Sequence, residues 1–350
     1  MLAYLGQPDF NPDQPACLGL LLINLGTPEA PTAKAVRQYL AEFLSDPRVV
    51  ELPRPLWWLI LHGFVLPTRP RRAAEAYGKI WTAQGSPLLA ISRNQASALQ
   101  KALDQRLSGP IRVALAMRYG HPSIAAGLEQ LRLANARRLL ILPLYPQYSA
   151  ATTGSALDAV TGILKTWRWW PEIRTVLDYH DDEGYLQALV SQIQTAWATQ
   201  GQPERLLFSF HGLPKAVVLA GDPYFHQCQR TAALVAERLS LDAAGWRLAF
   251  QSRFGWKEWL GPYVDQVLLD WGKARVASLN VVCPGFSADC LETLEEIEIR
   301  GRHTFIEAGG GRFDYIPALN DCPRHIGALA DLVMRHTQGW PEGRPIEPRL

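Results

Sequence analysis

The chain of 350 residues has no C-x-x-C pair; its five cysteines, Cys17, Cys228, Cys283, Cys290 and Cys322, lie scattered. That scatter argues against a disulfide framework, a structural zinc site and a local iron–sulfur motif. Neither G-x-G-x-x-G nor G-x-x-x-x-G-K-[ST] occurs, so the glycine-rich phosphate cradles of dinucleotide and P-loop proteins are missing. Excess charge is also missing. A net charge of +2 gives no basic surface for tracking phosphates, and no nucleic-acid partner is expected. Arg69-Pro70-Arg71-Arg72 and Arg137-Arg138 read as solvated charge. Residues Met1 to Ala16 carry Pro8, Pro12, Pro15, Asp9 and Asp13 in place of the basic and apolar regions of a secretory signal, so a cytoplasmic protein is expected.

What the chain does have is one skeleton written twice. The first half reads Leu22-Ile23-Asn24-Leu25-Gly26-Thr27-Pro28, then Arg118-Tyr119-Gly120, then Pro146-Gln147-Tyr148-Ser149. The second reads Phe208-Ser209-Phe210-His211-Gly212-Leu213-Pro214, then Arg253-Phe254-Gly255, then Pro284-Gly285-Phe286-Ser287. Apolar runs alternate with amphipathic stretches throughout, the pattern of doubly wound α/β proteins. Strands are expected at 18–25, 111–117, 139–142, 174–177, 206–210, 246–251 and 276–282. Helices are expected at 32–44, 92–107, 124–134, 184–200, 223–239, 261–273, 290–299 and 320–336. The fold class is therefore α/β, with two Rossmann-like domains whose parallel sheets are related by an internal repeat. We divide them into residues 1–170 and 171–350, the crossing falling within 165–175 and the last helix free to pack on either half.

The first half also carries an apolar insert, about residues 45–90, bracketed by Pro53, Pro55, Pro67 and Pro70. Its run from Leu56 to Leu66 is shorter than the about 20 apolar residues that span a bilayer. It suits either a buried helix or a lip facing a membrane or a ligand.

Ligands of such sheets bind outside the carboxyl ends of the strands, which the repeated segments mark. There the second half places His211, an imidazole able to accept a proton or bind a metal near neutral pH. Beyond its third segment come Asp289, Glu292 and Glu296, spaced to share one helix face. These acids also suit a solvated helix start, but their position on the edge that carries His211 favours a joint role. The matching edge of the first half offers Arg118, Tyr119, Tyr148, Thr152, Thr153 and Ser155, with no acid among them, as a wall for a flat anionic ligand or as ordinary loop polarity.

Taken with Gly85-Ser86-Pro87-Leu88 and the run from Phe286 to Glu296, these motifs resemble those of the ferrochelatase family over about residues 18–335. The resemblance implies a two-domain enzyme that inserts ferrous iron into protoporphyrin IX, the last step of protoheme synthesis. By it His211 is the catalytic and iron-binding imidazole and Glu292 its partner carboxylate, while Asp289 and Glu296 belong to a proton or metal path. Arg118, Tyr119, Ser86, Tyr148, Arg69, Tyr77 and Trp57 are then porphyrin-binding, and the insert is a lip with peripheral contact at the inner face of the membrane. Protoporphyrin IX and Fe(2+) are substrates, and no permanently bound cofactor is implied. Cys290 stands where some relatives have histidine. The cysteine-bearing extension that holds a [2Fe–2S] cluster in animal enzymes has no counterpart after Cys322, so no cluster is expected. A cobalt- or coproporphyrin-using chelatase, and a non-catalytic tetrapyrrole or metal carrier, stay open at this level.

Overall fold

The computed structural model describes residues 4–6, 11, 13–253, 255 and 257–346; Phe254 of the second repeated segment lies outside the described residues. Strands β1 (Cys17–Gly26), β2 (Ile111–Tyr119), β3 (Ala136–Pro143) and β4 (Glu172–Thr175) form one sheet in the order β2-β1-β3-β4. A second sheet holds β5 (Arg205–His211), β6 (Trp246–Gln251), β7 (Ser278–Val282) and β8 (Arg312–Ile316) in the order β6-β5-β7-β8. All six strand pairings are parallel. The two orders are the same, so the repeat read from the sequence is a repeat of topology. β1 and β5 lie inside their sheets and are covered on both faces, which explains their nearly unbroken apolar runs.

One apolar core joins the halves. Leu18, Leu20 and Leu22 of β1 and Leu206, Phe208 and Phe210 of β5 belong to a single buried cluster with residues of helices Pro87–Asp104, Glu183–Gln200, Tyr224–Arg238 and Pro323–His336. The last helix packs on both Pro87–Asp104 and Glu183–Gln200, bridging the two units. Separate clusters cover the outer face of each sheet.

Three expectations change. Glu172–Thr175 pairs with β3, so the first sheet extends past residue 170 and the chain crosses to the second sheet only after Thr175. Strand β8 and helix Ser155–Leu164 were not foreseen. β8 is an edge strand whose exposed Arg312 and half-buried Asp314 pair at 2.9 Å, and its alternation Arg312-Phe313-Asp314-Tyr315 is the period-2 pattern of a half-buried strand, a signal the sequence carried.

The insert is three helical segments in succession: Arg54–Ile60, a π-helical turn Leu61–Val65, and Leu66–Ile80. Pro70 within the last one cannot donate to the carbonyl of Leu66. Arg37 Nη1 donates to that oxygen instead, at 3.0 Å, and fastens the insert to helix Ala33–Ser45.

His325, in the last helix, is fully buried. Its Nδ1 donates to the Asn320 carbonyl at 2.7 Å while Nε2 meets no protein partner. Burial holds its pKa down to about 4, against an ordinary 6.5. The folded chain therefore binds fewer protons than the unfolded one between these values, and stability must fall as pH drops from 6.5 towards 4. The whole effect is about 3 kcal/mol. Urea unfolding of His325→Gln across this range should show a flatter pH dependence than wild type; equal slopes would mean that His325 titrates normally.

Candidate active site

The strand ends are shaped by close backbone approach. Gly26 closes β1 at φ +111°, where a Cβ would lie 1.8 Å from the Tyr119 carbonyl oxygen. At the end of β5, a Cβ on Gly212 would lie 2.7 Å from the Gln251 carbonyl oxygen, which already accepts the Gly212 N–H at 2.8 Å. In both copies glycine lets the neighbouring strand run alongside the turn that carries the chemistry.

His211 is the last residue of β5 and half-buried. Its Nδ1 lies 2.7 Å from the Gly212 carbonyl oxygen. A carbonyl can only accept, so Nδ1 carries the hydrogen and the lone pair of the neutral imidazole is on Nε2. The backbone thus selects the tautomer of a base.

Glu292 opens a helix that is π-helical from Glu292 to Gly301, a winding frequent at functional sites. What connects it to His211 is Gln251, only 3% exposed. Gln251 pairs with His211 in the β5–β6 register. Its amide Nε2 donates to the Glu292 carbonyl at 2.9 Å and to Glu296 Oε2 at 3.3 Å, while Oε1 accepts from Ser209 Oγ at 2.6 Å. Ser252 then donates to Glu296 through its N–H at 2.8 Å and its hydroxyl at 2.5 Å. Ser252 has φ +63°, a left-handed conformation uncommon for a residue with a side chain and concentrated at functional sites.

The single acidic face expected from Asp289, Glu292 and Glu296 is not formed. Asp289 precedes the helix and its carboxylate folds back into the protein. It accepts from Tyr315 Oη at 2.6 Å, Asn320 Nδ2 at 2.7 Å, Thr293 Oγ1 at 2.9 Å and the Ala318 N–H at 3.2 Å. Both oxygens are committed, so Asp289 holds the loop that leads into the helix. Glu296 is likewise gripped by Gln251 and Ser252.

Against the helix of Glu292 packs helix Leu66–Ile80, which carries Tyr77, and Tyr39 comes from Ala33–Ser45. Burial pushes the Tyr39 phenol well up, with Tyr77 and the Glu292 carboxylate adding to it. Burial and then Glu292 push up Tyr77, and the hydroxyl of Thr27 partly offsets them. Cys290 is raised by burial and by Glu292. Leu291 and Leu294 of the Glu292 region pack against the buried cluster that holds Tyr77 and Val36. Thr27 Oγ1 donates to Ser86 Oγ at 2.8 Å, which ties Ser86 to the same group.

At the first half's edge the structure supplies the acid that the sequence reading lacked. Asp46, 7% exposed, accepts at Oδ2 from Arg118 Nη2 (2.5 Å), Ser155 Oγ (2.5 Å) and Tyr119 Oη (2.8 Å). Burial alone would raise its pKa, but these bonds and the Arg48 N–H outweigh it and hold the carboxyl below its usual value. Arg118 is therefore locked in place, with Nε also donating to Ser155 Oγ at 2.6 Å. Tyr148 is half-buried on the loop before the helix of Ser155, its N–H donating to Gln227 Oε1 at 2.6 Å. Arg69 lies exposed on the same helix as Tyr77.

Trp57 has a different place from the one expected. It is 4% exposed, packed with Leu61 and Val65, and donates from Nε1 to the Leu44 carbonyl at 2.6 Å. It anchors the insert, and its neighbours at Leu56, Trp58, Leu59 and Phe64 face outward, with exposures of 51%, 59%, 63% and 69%.

Two parallel four-stranded sheets of one strand order define a chelatase-type α/β fold. SirB from Bacillus subtilis with Fe3+ superposes with TM-score 0.57 at 12% identity, over 94% of this chain and 98% of its own. The sirohydrochlorin chelatase SirB from Bacillus subtilis subspecies spizizenii, in complex with cobalt, does so with TM-score 0.53 at 13% identity, over 95% and 100%. The Ferrochelatase family model matches residues 17–337. The ferrochelatase of Thioalkalivibrio sulfidiphilus is 56% identical over 340 residues, covering 97% of this chain and 92% of the relative. That of Nitrosococcus oceani is 57% identical over 337 residues, covering 96% and 91%. The chain belongs to the ferrochelatase family.

If Gln251 sets the spacing between His211 and Glu292, Gln251→Leu should lower kcat for iron insertion about 10- to 100-fold, the cost of misplacing a reacting group by roughly 1 Å. Porphyrin affinity should change little. A folded variant with wild-type kcat would refute this role.

Proposed function

We propose that His211 Nε2 removes the pyrrole protons of a porphyrin held in the cleft, with Glu292 as the partner carboxylate that helps receive the incoming metal. As a ferrochelatase, the chain inserts ferrous iron into protoporphyrin IX and yields protoheme. Two protons leave the macrocycle for each Fe(2+) that enters, so the charge balances and no oxidant or reductant is needed. The observation that carries the assignment is the Nδ1 contact of His211 to a carbonyl, which leaves a lone pair on Nε2.

Among the described residues, no three His, Cys, Asp or Glu side chains gather closely enough to enclose a metal ion. A substrate metal that must be given up is suited by a few nitrogen and oxygen groups, and His211 with Glu292 supply these. In this reading Tyr39, Tyr77 and Ser86 supply apolar surface and hydroxyls to the porphyrin side, Arg69 offers a cation for a propionate, and Tyr119, fully buried and bonded to Asp46 and Ser155, holds Asp46 instead of meeting the ligand. Binding energy collected along the porphyrin side would sustain a bent macrocycle whose nitrogen lone pairs point at His211 and the metal. Asp289 and Glu296 hold the helix of Glu292 in place in this reading. We assign no permanent cofactor and no cluster.

The outward face of the insert is proposed as a peripheral membrane contact. Leu56, Trp58, Leu59 and Phe64 present an apolar surface, and Arg69, Arg71 and Arg72 follow on the next helical segment, a combination that favours an anionic bilayer surface. No described helix is long and apolar enough to cross a membrane.

Anaerobic incubation with Fe(2+) and protoporphyrin IX should generate the heme absorption spectrum. His211→Ala should lose at least about 100-fold in kcat, within the range of general-base contributions, while still quenching porphyrin fluorescence. Undiminished iron insertion by that variant would remove His211 as the base, a wild type that binds porphyrin without inserting iron would favour a non-catalytic carrier, and faster turnover of coproporphyrin would replace the substrate. In flotation with phosphatidylglycerol vesicles, Trp58→Ser/Phe64→Ser should bind more weakly than wild type; equal flotation would exclude this face as the contact.

A further inference from the structure

We propose that Glu295 is a positioning residue of the cleft, strapping the lip helix Leu66–Ile80 to helix Glu292–Gly301 and so fixing Tyr77 beside Glu292. The inference rests on the assignment of Tyr77 and Glu292 to the porphyrin site. The Glu295 side chain is 6% exposed, and its two oxygens are divided between two elements. Oε1 accepts from Lys79 Nζ of the lip helix at 3.0 Å, and Oε2 from Arg300 Nε of its own helix at 2.8 Å. Burial favours the protonated acid, but the two cations outweigh it and hold the carboxyl below its usual value.

The spacing of these groups is informative. Ion pairs along an α-helix form between residues three or four apart. Glu295 and Arg300 are five apart, neighbours only because the segment is wound with i→i+5 bonds. One oxygen therefore reports the winding of the helix that carries Glu292, and the other reports where the lip helix stands. Lys79 is two residues from Tyr77, and Glu295 three from Glu292. Between the helices, Leu291 and Leu294 pack against the buried cluster of Val36, Ala74, Tyr77 and Ile80. Apolar packing of this kind is non-directional, whereas a carboxylate bonded on both oxygens sets a register.

The experiment measures porphyrin Kd by tryptophan-fluorescence quenching, and porphyrin and iron KM where turnover is present, for the full chain at low and high ionic strength. Lys79 is half exposed, so its replacement spares the core. Lys79→Met should weaken porphyrin binding about fivefold, the upper end for a partly exposed ion pair. Iron KM should not move, and Lys79→Arg should restore the wild-type value. Salt should weaken wild type more than Lys79→Met, so that the two converge at high ionic strength, because the variant keeps only the salt dependence of propionate pairing. In a Glu295→Gln background Lys79→Met should have no further effect. Equal porphyrin Kd in wild type and Lys79→Met at low ionic strength, or a Lys79→Met effect that persists in Glu295→Gln, overturns the strap. If Glu295→Gln does not fold, the difference in salt response between wild type and Lys79→Met decides, and equal salt responses overturn the strap. A wild type that binds porphyrin without inserting iron would instead fault the catalytic reading and leave the Kd comparison able to judge the strap.

Discussion

The site depends on one buried amide. Gln251 lies beside His211 because β5 and β6 are in register, and its side chain extends from there to the first carbonyl of the helix that presents Glu292. A base on a strand and a carboxylate on a π-wound helix are thus joined through a group that does not itself ionise. Neutral hydrogen bonds of this kind contribute only about 1 kcal/mol each to stability. Their value here is geometric, since a general base works only when its lone pair is aimed.

The same device recurs, with charge, in the first half. Asn24 pairs with Met117 and Gly26 with Tyr119, whereas His211 pairs with Gln251. When Gly26 and Gly212 are brought into equivalence, Gln251 stands in the position of Arg118. Each copy therefore uses this position as an anchor: Arg118 on Asp46 and Ser155, Gln251 on Ser209 and the Glu292 helix. The duplicated fold supplies two equivalent anchor points, and only the second has a base beside it.

The motif that made the repeat visible also concealed this correspondence. Aligning Arg118-Tyr119-Gly120 with Arg253-Phe254-Gly255 shifts the second copy by two residues against the strand register, so Gln251 and Ser252 fell outside the candidate set. Asp46 was missed because it is distant in sequence from Arg118 and reaches it only through packing of the insert. Tyr39 looked like one apolar position of an amphipathic helix, and it is buried, as such a position would be; its relation to Glu292 was set by tertiary packing. Trp57 and Trp58 are adjacent, and only the helix rotation fixed by the Leu44 carbonyl and by Leu61 and Val65 determines which of them is buried.

Alternating apolar runs, duplicated strand ends and the placement of His211 and Glu292 after them were local properties, and the sequence alone sufficed to determine the α/β repeat and where in it those residues stand. Strand spacing and apolar period arise from backbone geometry that every segment obeys by itself. Tertiary structure decided which nitrogen of His211 is free, which acids are committed to holding the protein together, and which faces of the insert look outward. Those outcomes depend on donors and acceptors that meet only when distant segments fold together, and a buried polar group takes whichever partner the fold brings within reach.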